Sequence, residues 1–464
     1  MSHNIFHKNK FSISLTAIFV IIVYSIVFES YWKNFKGVGH PFIMDVDQYY
    51  SYLPATFIHH DLTFDFPNKY WQITAENGNL IPKVTYGMSL MYAPFFLVGY
   101  KIALNTFSAT TGYTKPFADM VHYGSIFYVI LGLFFLRLVL KRYFNEIITA
   151  LTLIILFFAT NLFNYTLHQG EYSHGYSFCL IAVFLWLSLK WNDEKKYKYI
   201  IPMGLVLGLL TLIRPTEIIL GCLPFLLGVT KRTHVLERIK LLLNFKMQIF
   251  IFILCFIIMW LPQIIYWKWR ADQFFFFSYG SDEKFFFLQP KIIDVLFSYR
   301  KGWLVYTPVM LFSLAGLFLI PKKIPELKFI IPVYIIINIY LISCWWCWWF
   351  GGSFGMRALV QTYAILAIPL AAFINFIFYE VFLKSFSSVQ LFCKYIFSGL
   401  LVFFICLNML QTYQFKANIL HYEAMTEKTY WLIFGKTELG YGDSQKYWPS
   451  LNWPNYKAAL KGER

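Results

Sequence analysis

The feature that most limits this chain is the recurrence of apolar runs near or above the ~18 residues that suggest a membrane-spanning helix. The first lies at 11–29 and the last ends near 409, with more polar connections between them. Residues are 58% hydrophobic and only 14% charged over 464 positions, so no stretch is left from which an independent soluble domain could be built. The expected class is an all-α polytopic membrane protein.

The formal charge of +16 would suggest nucleic-acid binding in a soluble protein. Here the cations fall in short clusters between apolar runs: Arg137/Lys141/Arg142, Lys190/Lys195/Lys196/Lys198, Lys231/Arg232/Arg238/Lys240 and Lys322/Lys323/Lys328. That is the pattern of cytoplasmic loops, and it argues against a nucleic-acid partner. His3, His7, Lys8 and Lys10 precede the first run with no small-residue cleavage site after it, which reads as an uncleaved anchor with a cytoplasmic N-terminus. Alternation then gives spans near 11–29, 119–140, 147–165, 174–191, 199–213, 216–230, 247–265, 303–320, 329–344, 358–379 and 390–409.

Residues 86–106 are apolar enough to span, but a crossing there would put every later basic cluster on the wrong side. A re-entrant or membrane-surface helix, helped by Pro94, is the favoured reading, with a twelfth span as the alternative. By parity the outer segments are 30–85, 165–173, the Arg214–Glu217 turn, 265–303, 345–357 and a tail, 410–464, long enough for a few short helices. No internal repeat is visible, which weakens an inverted-repeat transporter. The seven cysteines form no disulfide framework. Cys344 and Cys347 have redox spacing but sit in the aromatic run WWCWWF, which reads as interfacial packing.

Residues that could carry chemistry all fall on the outer side. Asp45 and Asp47 sit just past the first run, where a carboxylate is costly unless it faces a wet cavity. Residues two apart on a helix point about 200° apart, so only one need face a site; the competing reading is a solvated helix start. Tyr49 and Tyr50 follow and would line a pocket. Lys83 can hold a phosphate at the boundary or simply snorkel. His168, Glu171 and His174 are spaced three apart, on one face if helical, so a divalent metal is one option and hydrogen bonding to a substrate the better one; Gly170 and Gly175 argue against a regular helix. Arg214 either pairs with Glu217 or contacts an anion. Arg300 opens one span, and Arg357 follows the glycine-rich stretch GGSFGM at 351–356, where backbone can approach a ligand closely.

Carboxylates and cations around one outward cavity suit a lipid-linked phosphate and a general base. At these residues the chain resembles the GT-C superfamily of membrane glycosyltransferases. The resemblance rests on the acidic motif after the first span, Lys83, GLLTLIRPTE and FSYRKGWLVYTP. DVDQYYSYLPATFIHHDL, TYGMSLMYAPFFL, YSHGYSF and WWFGGSFGMRAL are similar to multi-span proteins of Bacteroidetes-type bacteria grouped with protein mannosyltransferases and lipid A aminoarabinose transferases. It implies a bundle of about eleven or twelve transmembrane helices over 1–409, with a short outer tail, in a bacterial inner membrane. The implied reaction is an inverting transfer of sugar from a polyprenyl-phosphate donor to a glycan, lipid or protein acceptor. Asp45 would be the base and Asp47 its companion, with Lys83, Arg300, Arg357 and Arg214 on the phosphate and Tyr49, Tyr50, His168, Glu171 and His174 on substrate. No cofactor is required by this reading, and metal dependence stays open. The competing readings are a flippase for lipid-linked sugars, an O-antigen ligase or polymerase type of enzyme, and a metal-dependent membrane hydrolase built on the two histidines and Glu171.

Overall fold

The structure is a computed structural model describing residues 12–33, 42, 44–65, 72–106, 110–280, 282–381 and 388–463. The basic residues His3, His7, Lys8 and Lys10, parts of the first connection and the Cys393 side chain lie outside the described residues. The chain is 70% helical, and among the described residues seven helices are long and apolar enough to cross a membrane, which makes it a multi-pass, all-α membrane protein. They are Gly87–Thr106, Lys115–Leu140, Ser173–Glu194, Lys246–Ala271, Pro325–Cys344, Arg357–Tyr379 and Lys394–Lys416, with shorter apolar helices at Ile13–Phe28, Glu146–Phe158, Tyr197–Ile213 and Pro215–Leu226.

We number the principal helices α1 (Ile13–Lys33), α2 (Asp45–Pro54), α3 (Gly87–Thr106), α4 (Lys115–Leu140), α5 (Glu146–Phe158), α6 (Ser173–Glu194), α7 (Tyr197–Ile213), α8 (Arg232–Asn244), α9 (Lys246–Ala271), α10 (Ile330–Cys344), α11 (Tyr363–Asn375) and α12 (Ser388–Lys416). Small residues set the closest crossings, as expected where lipid supplies no hydrophobic drive between helices. Gly132 of α4 meets the backbone of Cys179 in α6, and Gly204 and Gly208 of α7 meet Phe252 and Met259 of α9.

The basic clusters gather at one end of this bundle. Arg142 pairs with Asp193 and, at 3.5 Å, with Glu326. Arg238 donates to Asn192 at 2.6 Å, and Arg137 reaches the Glu146 carboxylate that also receives Ser12 and Ser14. The starts of α2 and α6 and the ends of α7 and α9 meet at the other end. Helix α3 makes two close approaches: Gly87 abuts Leu212 and Ile213 in the last turn of α7, and Gly99, inside the helix, abuts Pro116 and Phe117 in the first turn of α4.

Three expected spans differ from the structure. Residues 303–320 do not form one helix but break into Trp303–Tyr306, Met310–Gly316 and Ile320–Lys323. Pro308 and Pro321 lack the N–H that a continuous helix needs, and Gly316 is pressed against the Pro369 carbonyl, where any side chain would collide. The 216–230 run becomes a tight helix over Pro215–Cys222 followed by one turn, Leu223–Leu226. Helix α5 stops at Phe158 rather than continuing to 165; the freed carbonyls of Phe158 and Thr160 take Asn408 Nδ2 at 2.9 and 2.8 Å.

The first connection also holds a two-stranded hairpin, β1 (Gln72–Thr74) and β2 (Leu80–Pro82), antiparallel with Ile73 opposite Ile81. Its turn contains Gly78 at φ 84°, and Asn77 and Asn79 bind the Arg270 carbonyl at 2.9 Å, fixing the hairpin to the end of α9. Beyond α12, Glu427–Ile433, Tyr441–Ser450 and Tyr456–Leu460 are short helices, and this tail shares a core with Tyr306 and Phe354.

Candidate functional site

Asp45 is the first residue of α2, where the helix dipole favours a carboxylate. Its Oδ2 lies 3.3 Å from Arg357 Nη1. The Asp45 side chain is 44% exposed and the Arg357 side chain only 16%, so the acid is the open partner and the guanidinium the enclosed one. The ring of Tyr172 supports the guanidinium from below, 5.4 Å from Cζ. Arg357 gets there because the chain reverses through Phe350 (φ 56°), Gly351 (φ 66°) and Gly355 (φ 59°). Glycine at 355 is required twice over, since a Cβ would also touch Tyr306.

Asp47 points the other way. It is 3% exposed, beside Tyr50, whose hydroxyl donates to the Gly112 carbonyl and whose ring stacks on Phe42 at 3.9 Å. Asp47 and Tyr50 therefore pack α2 against its neighbours, while Asp45 and Tyr49 face the site. Burial and the Asp45 carboxylate push the Tyr49 phenol well up, which keeps it a neutral donor.

Lys83 precedes α3 and binds Glu283 at 2.6 Å, with its ammonium 4.7 Å from the centre of the Tyr279 ring. Tyr279 lies within electrostatic reach of Asp45, Glu283, Arg214 and Arg357 together, so these groups share one region. With the buried Glu217 coupled to Arg214, three carboxylates (Asp45, Glu283, Glu217) stand against three cations (Lys83, Arg214, Arg357) in this region.

Arg214 is held by a buried chain of polar groups. Its Nη1 lies 3.0 Å from His174 Nδ1. Arginine can only donate, so Nδ1 accepts and the imidazole is neutral with its proton on Nε2. Gln361 lies against the same imidazole and donates to Glu217 Oε1 at 3.0 Å, while Tyr334 donates to Glu217 Oε2 at 3.0 Å. Glu217 is fully buried and takes two neutral donors rather than closing a short ion pair with Arg214.

His168, Glu171 and His174 would share a face only in a regular helix, and there is none across them: α6 begins only at Ser173 and residues 168–172 turn. His168 contacts Asn164 at 3.2 Å and packs against Phe415; Glu171 binds His122 at 2.7 Å; His174 faces Arg214. Burial, reinforced by Lys416, pushes the His168 pKa down to about 4. Among the described residues no group of three His, Cys, Asp or Glu side chains is arranged to hold a metal ion.

Arg300 is also placed elsewhere. It lies behind the glycine loop, donating to the Glu423 carbonyl at 3.1 Å with Trp349 alongside at 5.8 Å. Next to it the buried Lys301 ammonium donates to the carbonyls of Ser353 and Tyr422, and burial holds its pKa far below the usual lysine range.

Thus Asp45, Tyr49, Lys83, Arg214, His174 and Arg357 come together, and Asp47, Tyr50, His168 and Arg300 do not; Glu171 sits behind Tyr172, on His122. Tyr172, Tyr279, Glu283 and Gln361 belong to the site but did not stand out in the sequence. The polar interruption SYG in the aromatic run after Phe277 was the available signal for Tyr279. Cys344 and Cys347 are free thiols, both buried. The fold and this site define a helical membrane protein with a cluster of charged, partly exposed side chains at one end of its bundle. No known family model matches the chain, and no curated protein matches it either.

Proposed function

We propose that this protein is an inverting glycosyltransferase that takes a sugar from a polyprenyl-phosphate donor on the outer face of a bacterial inner membrane. The observation that carries the reading is the Asp45–Arg357 pair, with Lys83 over the Tyr279 ring and Arg214 within electrostatic reach of the same tyrosine, at the end of the bundle away from the basic clusters. In the transfer the acceptor hydroxyl oxygen bonds to the sugar's anomeric carbon and gives its proton to Asp45. The bond from that carbon to the phosphate oxygen breaks on the opposite face, and the phosphate leaves with the electron pair, held by Arg357 and Arg214.

Pairing in the resting state fits this cycle. A donor phosphate competes for Arg357 and so releases the Asp45 carboxylate for the acceptor. An apolar cleft of about 240 Å³ lies among Leu207, Ile218, Cys222, Phe225, Phe252 and Phe256, on the stretch of chain that follows Arg214, and suits an isoprenoid chain. Asp47, Tyr50, His168 and Arg300 have no part in the reaction, and no metal is assigned to it.

The test compares cells with and without the protein by mass spectrometry of lipid-linked sugars and surface glycans. Loss of one glycan with accumulation of its polyprenyl-phosphate sugar is expected, and Asp45→Asn should reproduce both changes. Unchanged glycans and donors would remove the reading.

A further inference from the structure

Helix α9 is the least enclosed of the candidate spans, with 22% of its apolar window buried. Phe250, Ile253, Ile257, Leu261, Ile265 and Trp269 form one exposed stripe along it at spacings of three and four residues. The helix ends at Ala271, and Asp272 adopts a left-handed conformation at φ 58° with Lys268 bound to its side chain at 2.5 Å. The chain then presents Phe274, Phe275 and Phe277 at 61%, 74% and 62% exposure. Two residues later Tyr279 turns back, its ring 5.4 Å from Trp345 and 4.7 Å from the Lys83 ammonium in the charged cluster.

We infer that residues 274–279 are a wedge seated in the lipid leaflet at the site end, with three phenylalanines among the acyl chains and Tyr279 in the site. Three features of the surface select lipid as the occupant. The phenylalanines continue the stripe of α9 rather than forming an isolated patch. The residues beside them have the composition of a membrane boundary: Lys268 lies 5.3 Å from the Phe274 ring, and Arg270 lies 5.4 Å from Trp269. Long cationic side chains there reach the headgroups while their stems lie along apolar surface. Gly280, at φ 68° with open space around it, lets the chain reverse at the boundary.

The consequence is an opening of the site toward the leaflet rather than only toward water. This inference depends on the membrane reading of the fold and not on sugar transfer, so either can fail alone.

The experiment uses the full chain without its native cysteines, carrying Phe274→Cys, Phe275→Cys or Phe277→Cys, each labelled with a nitroxide in phosphatidylethanolamine–phosphatidylglycerol vesicles. Power saturation should show faster relaxation with oxygen than with a water-soluble nickel chelate at all three positions. A label at exposed Lys446 should show the reverse. Equal or greater access of the nickel chelate at positions 274, 275 and 277 would overturn the inference. So would exclusion of both reagents with spin–spin broadening, which would assign the surface to a second copy of the chain. Because each position is read separately, one variant that fails to fold leaves the other two to decide.

Discussion

The glycine loop at 351–357 separates two clusters of similar chemistry that behave differently. On one side Asp45, Arg357, Arg214 and Lys83 share the region of Tyr279; on the other, Arg300, Lys301 and Glu423 share that of Trp349. Behind the loop the donors have protein acceptors: Lys301 on two carbonyls, Arg300 on a third, and Trp349 on Glu423 at 3.0 Å. In front of it the Asp45 side chain is nearly half exposed. Composition does not distinguish a brace from a binding site here. Exposure of charge does.

The sharpest way to break this contrast is Asp45→Asn. Removing a general base should slow transfer by about 10²–10⁴-fold while the protein still folds and binds donor, measured by turnover and donor binding side by side. Full turnover would place Asp45 among the braces. The mirror experiment is Lys301→Met, which leaves the buried Ser353 carbonyl without a donor, at about 1–3 kcal/mol, and takes one of two donors from the Tyr422 carbonyl. It should lower the thermal unfolding temperature, with turnover falling only as the folded fraction falls. A wild-type melting curve would show that the rear cluster is no brace.

Arg357→Ala removes a charge-assisted contact worth about 1.5–3 kcal/mol. Donor affinity should drop roughly 10- to 100-fold in a binding titration; an unchanged constant would move the phosphate elsewhere. His168 supplies a pH test. Its folded-state pKa is pushed down to about 4 against an ordinary 6.5, so the unfolded chain binds the extra proton between those values. Stability should therefore fall as pH drops below 6.5, by about 2 kcal/mol at pH 5. His168→Gln should flatten that slope, and if the slope survives, another group is responsible.

The smallest effect should come from Glu217→Gln. It disturbs the acceptor of Gln361 and Tyr334 two residues removed from Arg214, so donor affinity should weaken by about 1 kcal/mol, a few-fold. The measured value would show how much of the Arg214 placement depends on that chain.

What could be read from the sequence follows from how local its causes are. Apolar runs made helices, and Asp45, Lys83, Arg214 and Arg357 stood out because isolated charges beside such runs need a reason. The hairpin was missed, although Asn77-Gly78 is a turn signal between short β-type segments, because the apolar runs on either side outweighed it. Arg300 was not legible, because its direction depends on the Glu423 backbone more than a hundred positions later. Nor was the break at 303–320, which depends on contact between Gly316 and Pro369 as well as on its prolines. His168, Glu171 and His174 were misleading because helical spacing means nothing before the helix begins.

The fastening of the glycine loop has a consequence for the order in which the protein is made. Ser353 N–H binds the Tyr422 carbonyl at 3.0 Å, and Lys301 grips that same carbonyl. Asp45 leaves the ribosome early, but its arginine partner is secured only after residues 421–424 have been translated and have docked. A half-made chain in the translocon would thus carry its acid without its clamp, and stay idle until synthesis had passed the point that locks it.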